Sequence, residues 1–223
     1  MIGRVVYERL SARYAIDPED FVAPRLRGVS LFEFIVAVML SQNTSDVNAW
    51  RAYTKLKRGL GEIEPRRILE RPVEEIAGLI REAGMHLQRA SRIKELAERF
   101  LSVDVDREVS RVLGERGVEA AREYLMELPG VGPKTADVVL LMYYGAPTFP
   151  VDTHILRVTS RMGFVKRRDY EETRRFWMEN TPPDLYLPLH LLLIEHGRET
   201  CKAREPRCRE CPVRDLCATG SAR

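Results

Sequence analysis

The first two hundred residues of this 223-residue chain contain no cysteine. Disulfide staples therefore cannot tie the body of the chain together, and apolar burial must hold its core. Long hydrophobic runs are missing too, since none reaches the ~20 residues a membrane helix needs. The opening stretch, MIGRVVYERLSARY, is interrupted by Arg4, Glu8 and Arg9 and so lacks a signal-peptide core. These absences lead us to expect an intracellular, cytoplasmic protein with no membrane partner. Neither a GxGxxG turn after a strand nor a Walker loop occurs, which leaves nucleotide-cofactor folds unsupported. Side-chain amides are scarce (Gln42, Asn43, Asn48, Gln88 and Asn180), and Lys numbers 6 against 30 Arg. A large charge excess is also lacking: the net charge is +3, so any nucleic-acid footprint must come from local clustering.

What the sequence does have is helical patterning. Apolar residues make up 44% and charged residues 31%, which excludes wholesale disorder. Apolar positions recur at three- and four-residue spacing, while strand alternation is rare. Helices are predicted over roughly 2–14, 30–42, 45–60, 73–82, 87–101, 107–114, 117–127, 133–145, 152–162, 169–179 and 184–196. Two of these contain the longest apolar stretches, Leu31 to Leu40 and Val138 to Tyr144, and should be buried. The fold class is all-α, followed by a loop-rich tail after Arg198.

Three short segments carry candidate chemistry. In Leu128-Pro-Gly-Val-Gly-Pro-Lys-Thr135, Gly130 and Gly132 flank Val131, and Pro133 suits the first position of a helix. Such a turn could offer backbone donors and a helix N-terminus to a phosphate, or it could be a plain connection between helices. Lys134 opposes the helix dipole, so something other than helix stability should account for it. In Pro150-Val-Asp-Thr-His154, Asp152 is either a helix cap or a working carboxylate. His154 is expected to be packed or solvated. The third segment holds Cys201, Cys208, Cys211 and Cys217, spaced C-x6-C-x2-C-x5-C. Four thiolates so close together suit zinc or an iron–sulfur cluster, and the wide outer gaps suit the larger group. Lys202, Arg204 and Arg207, between the first two cysteines, could grip a phosphate backbone or simply be solvated.

LPGVGPKTADVVL, VDTHILRVTSR and the cysteine run, together with LSQNTSDVNAW, REAGMHLQRASRIKELA and HGRETC, make the chain resemble the endonuclease III family of DNA glycosylases. These motifs occur in order over roughly 30–217. The resemblance implies the helix–hairpin–helix glycosylase fold in two lobes. One is a six-helix barrel over 25–146; the other joins 1–24 to 147–223 and carries a [4Fe–4S] cluster on the four cysteines. It also implies that Lys134 and Asp152 face each other across a cleft, as nucleophile and essential acid. Asn43, with Gln42 beside it, and Met85 would fill the gap left by a flipped base. Gly130, Val131, Gly132, Lys202, Arg204 and Arg207 would contact DNA. The implied activity is base excision repair by a bifunctional glycosylase and abasic-site lyase. It would remove oxidised pyrimidines and nick the strand by β-elimination. Its partner would be double-stranded DNA with damaged bases or abasic sites, and the protein is expected to be monomeric and nucleoid-associated. The alternative is a glycosylase for thymine or uracil mispaired with guanine, and a third possibility is an idle DNA-binding module. Ala37 stands where the mismatch adenine glycosylases of this superfamily carry a catalytic Glu, so that activity is not expected.

Overall fold

A computed structural model describes residues 1–221, and no strand occurs among them. The helices are α1 (Ile2–Ser11), α2 (Val22–Arg25), α3 (Leu31–Leu40), α4 (Asp46–Leu60), α5 (Pro65–Leu69) and α6 (Val73–Leu79). They continue with α7 (His86–Ser102), α8 (Val105–Met126), α9 (Pro133–Met142) and α10 (Thr153–Met162). The last three are α11 (Tyr170–Asn180), α12 (Tyr186–Glu199) and α13 (Ala218–Ser221). No helix among the described residues is long and apolar enough to cross a membrane.

The chain divides into two compact units. One is continuous, from Pro18 to Ala146. Its centre is α3, all ten residues of which are buried. A helix apolar on every side must be surrounded, and α3 packs against α2, α4, α7 and α9. Ser30 caps it by accepting the Glu33 N–H at 3.2 Å. The Glu33 carboxylate turns elsewhere and accepts from the Tyr53 hydroxyl at 2.5 Å and Lys57 Nζ at 2.6 Å. Ser45 and Asp104 cap α4 and α8 in the same way. The runs expected at 107–114 and 117–127 form the single element α8, interrupted by Gly117 at φ 83°. The sequence pattern missed α5, a five-residue helix with Pro65 in its first turn.

The second unit joins residues 1–17 to the segment from Pro147 onward. Here α1 packs on α12 and α11, and α10 packs on α11, α12 and α13. Trp177 is fully buried, stacked on Phe149, with its indole N–H donating to Thr159 Oγ1 at 2.8 Å. Residues 18–24, expected with this unit, belong instead to the other. The reason is local: α2 packs on α3 and α4, and the Val22 N–H donates to the Asp46 carboxylate at 3.3 Å.

Candidate active site

Between α8 and α9 the chain reverses in a tight turn closed by Val131 N–H to Leu128 C=O at 3.1 Å. Pro129 and Gly130 are its central residues, and Gly130 has φ 79°, the left-handed value a type II turn requires at that place. A Cβ on Gly130 would also lie 2.4 Å from Met39 Cε. Gly132 differs. Its φ is −97°, open to any residue, and a Cβ there would meet no protein atom within 4 Å. The fold thus requires one of the two glycines, where the sequence pattern suggested both. Gly132 caps α9 without any side-chain bond, Pro133 follows at the first position, and half-buried Lys134 sits in the first turn.

Gln42 reaches this turn from the loop after α3, donating from Nε2 to Gly130 C=O at 3.1 Å and to Thr135 Oγ1 at 3.0 Å. Its Nε2 therefore braces the hairpin. Its neighbour Asn43 is exposed and left-handed, at φ 54°. Met85, at the start of α7, is 54% exposed with φ 45°. Among the described residues, Asn43, Met85 and Glu205 are the non-glycine residues with positive φ. Asn tolerates that region better than most residues; for Met and Glu it is a strained choice.

Asp152 lies in the other unit, as N-cap of α10, with Oδ1 accepting the Ile155 N–H at 2.8 Å. The cap fixes the orientation of the carboxylate. The preceding backbone is held by Val151 N–H to the Tyr170 hydroxyl at 3.3 Å and by a 2.8 Å bond between Pro150 C=O and His190 Nδ1. His154 Nδ1 is 3.0 Å from an Arg157 amino nitrogen. Burial, reinforced by Arg157, holds its pKa below the usual imidazole range against the opposing pull of Asp152.

Cys201, Cys208, Cys211 and Cys217 are free thiols lining one cavity, together with Val158, Met162 and Val213. Among the described residues no three His, Cys, Asp or Glu side chains are set to hold a single metal ion. Burial pushes the Cys211 thiol up to about 11 and the adjacent His196 down to about 4. Two arginines one helical turn apart on α10 fasten the loop. Arg157 Nε donates to Cys201 C=O at 2.9 Å, and Arg161 donates to Lys202 C=O at 2.6 Å, Ala203 C=O at 2.9 Å and Cys201 Sγ at 3.4 Å. Neither was singled out from the sequence, although their i, i+4 spacing puts them on one face. With its backbone held, the loop leaves Arg204 and Arg207 exposed and Lys202 half-exposed.

A turn between two helices with a Lys just beyond it, a capping Asp and a four-cysteine loop define a class. Residues 36–183 match the model of the HhH-GPD superfamily base excision DNA repair proteins. The chain is 37% identical to the endonuclease III of Sulfolobus acidocaldarius, over 97% of this chain and 95% of that one. It is likewise 37% identical to the endonuclease III of Escherichia coli, over 84% and 83%. A solved structure of a trapped endonuclease III–DNA covalent intermediate superposes with a TM-score of 0.77 at 29% identity, covering 98% of this chain and 95% of that one. A thermostable thymine-DNA glycosylase, at TM-score 0.75 and 21% identity over 100% and 96%, shares the fold. The chain belongs to the HhH-GPD superfamily and, within it, to the endonuclease III family of DNA glycosylases and abasic-site lyases.

Proposed function

We propose that this chain excises oxidised pyrimidines from duplex DNA and nicks the resulting abasic site, with Lys134 as nucleophile and Asp152 as essential carboxylate. The observation that carries the reading is an amine in the first turn of a helix with no side-chain cap, in a chain this similar to endonuclease III. A glycosylase must first draw the damaged nucleotide out of the stack. Exposed Asn43 and Met85 fill the vacancy. The first turn of α9 receives a backbone phosphate, and bare Gly132 lets that phosphate come close.

Base loss passes through an oxocarbenium-like sugar, whose positive charge a carboxylate beside it stabilises. Asp152 is suited to this because its cap bond fixes where its charge lies. The neutral amine of Lys134 then bonds to C1′ as the base leaves, and opening of the sugar gives a Schiff base. Loss of a proton from C2′ breaks the C3′–O bond, which is the β-elimination that nicks the strand. Lys202, Arg204 and Arg207 add phosphate contacts.

The four thiols fit a [4Fe–4S] cluster better than zinc. They line one cavity, and their spacing gives a single close pair, Cys208 and Cys211, with wider outer gaps, where zinc usually takes two close chelating pairs. When bound, the cluster supplies a four-point cross-link whose charge keeps the sulfurs as thiolates. The chain acts as a monomer on intracellular DNA.

The test is borohydride trapping on abasic DNA. Wild-type protein should be trapped and Lys134→Gln should not. Asp152→Asn should lose most base excision, keep damaged-DNA binding and retain some trapping, since base loss is already complete in that substrate. A trapped Lys134→Gln complex would place the nucleophile elsewhere. Wild-type excision by Asp152→Asn would leave Asp152 a cap and nothing more.

A further inference from the structure

Arg89 lies in α7 with only 5% of its surface exposed. Among the described residues it has no carboxylate partner. A buried cation without a counter-ion is costly, so its hydrogen bonds should reveal its use. All four go to backbone carbonyls, and these come from two separate segments. From the end of α3 and the loop beyond it, Met39 C=O accepts from Nη1 and Gln42 C=O accepts from Nη2 at 2.9 Å. From the turn before α7, Ala83 C=O accepts from Nη2 and Gly84 C=O from Nε, each at 3.3 Å. Two of these carbonyls have a special place. The Gln42 carbonyl belongs to the peptide plane that leads into Asn43, and the Gly84 carbonyl to the plane that leads into Met85. Asn43 and Met85 are left-handed, at φ 54° and 45°. In each case φ is the rotation immediately after a plane that Arg89 holds.

We propose that Arg89 is a positioning residue that sets both peptide planes at once, so that Asn43 and Met85 enter the duplex as one rigid pair. The proposal rests on the reading of those two residues as the groups that fill the vacated stack. A planar guanidinium can serve two loops together because its donors point outward in fixed directions; a Lys ammonium has no such fork. Each loop follows a helical segment, α3 in one case and the short turn Arg81–Ala83 in the other. The carbonyls of Gln42 and Gly84 lie just past those helical ends, where no following helical N–H takes them, and the Met39 carbonyl is shared with the Gln42 N–H at 3.3 Å. Two loops ordered separately would each lose conformational freedom on meeting DNA, whereas a pair locked beforehand has already lost it.

Arg89→Lys and Arg89→Met should be assayed for excision of thymine glycol from duplex and from single-stranded DNA. Duplex excision should fall about tenfold while the single-stranded rate stays within about twofold, because only the duplex has a gap to fill. The decisive comparison is a double-mutant cycle with Asn43→Gly/Met85→Gly. In that background Arg89→Lys should cost less than about twofold, since a residue acting through the pair has nothing left to position. Equal losses on both substrates, or an undiminished loss without the pair, would overturn the role of Arg89 and leave the stack-filling reading in place. Wild-type duplex excision by Asn43→Gly/Met85→Gly would overturn both. Should Arg89→Met melt below the assay temperature, Arg89→Lys carries the same comparison, because it keeps the charge and removes the fork.

Discussion

Replacing Gly130 and Gly132 by alanine, one at a time, should separate folding from DNA recognition within three residues of chain. At position 130 the new side chain inherits φ 79° and a Cβ 2.4 Å from Met39 Cε. A left-handed alanine costs about 1–2 kcal/mol. Met39 is 2% exposed, and although its terminal methyl can swing aside, crowding it should add about 1 kcal/mol. The expected loss of stability is about 2–3 kcal/mol, the sum of those two effects. At position 132 neither effect operates, because the backbone is extended and a Cβ meets nothing. Stability there should change by less than about 0.5 kcal/mol. The same methyl group does, however, stand where a phosphate should approach. Affinity for duplex with an uncleavable abasic analogue should weaken about tenfold, equivalent to ~1.4 kcal/mol. Urea denaturation gives the first quantity and fluorescence anisotropy titration the second. Wild-type DNA affinity in Gly132→Ala would refute the assignment of that face to the phosphate. Unaltered stability in Gly130→Ala would refute the turn argument.

Neutralising Lys202, Arg204 and Arg207 together should lower the salt slope of log K by about 0.9 for each cation in contact with phosphate, without changing lesion preference; an unchanged slope would return the loop to bulk solvent. Protein purified without air should contain about four iron and four sulfide per chain, and Cys208→Ser should lose iron and DNA affinity together. Stoichiometric zinc instead would disprove the cluster. Burial and the nearby Glu33 carboxylate raise the Tyr53 phenol from its ordinary value near 10 to about 12. The unfolded chain therefore ionises first, so stability should be intact below pH 10 and decline as pH rises towards 12. Thermal melts across that window should show a shallower decline in Tyr53→Phe; an identical one would mean that Tyr53 does not contribute.

The helices that were readable in the sequence are those whose periodicity and caps agree. The apolar periodicity of 30–42 and 45–60 foreshadows α3 and α4, whereas the start of α8 at Val105, capped by Asp104, lies two residues before the predicted 107. Short α5 was hidden because five residues after a proline carry too little periodicity to register. The hairpin, the capping Asp152 and the cysteine spacing were visible because each is a local pattern. The residues that arrange them were not. Arg89, Arg157 and Arg161 are three of thirty arginines. Their importance lies in hydrogen bonds to carbonyls, most of them 40 or more residues away along the chain, which hydropathy and spacing do not encode. Gln42 is a candidate DNA contact by its place in the motif, and its second task of bracing the hairpin depends on α3 and α9 being neighbours.

The arrangement of the two units along the chain fixes an order of assembly. Everything in the Pro18–Ala146 unit is contiguous, so a growing chain holds all of its core once Ala146 has emerged. The other unit has no such freedom. Val6 and Leu10 of α1 are made before the Pro18–Ala146 unit, but they belong to a helix that packs on α12, whose residues follow only after the whole intervening unit. The apolar face of α1 must stay uncovered throughout that interval, in company with a neighbour that is already folded. The cysteine loop follows α12, so the part of the protein that would carry iron closes only after α12 has been made.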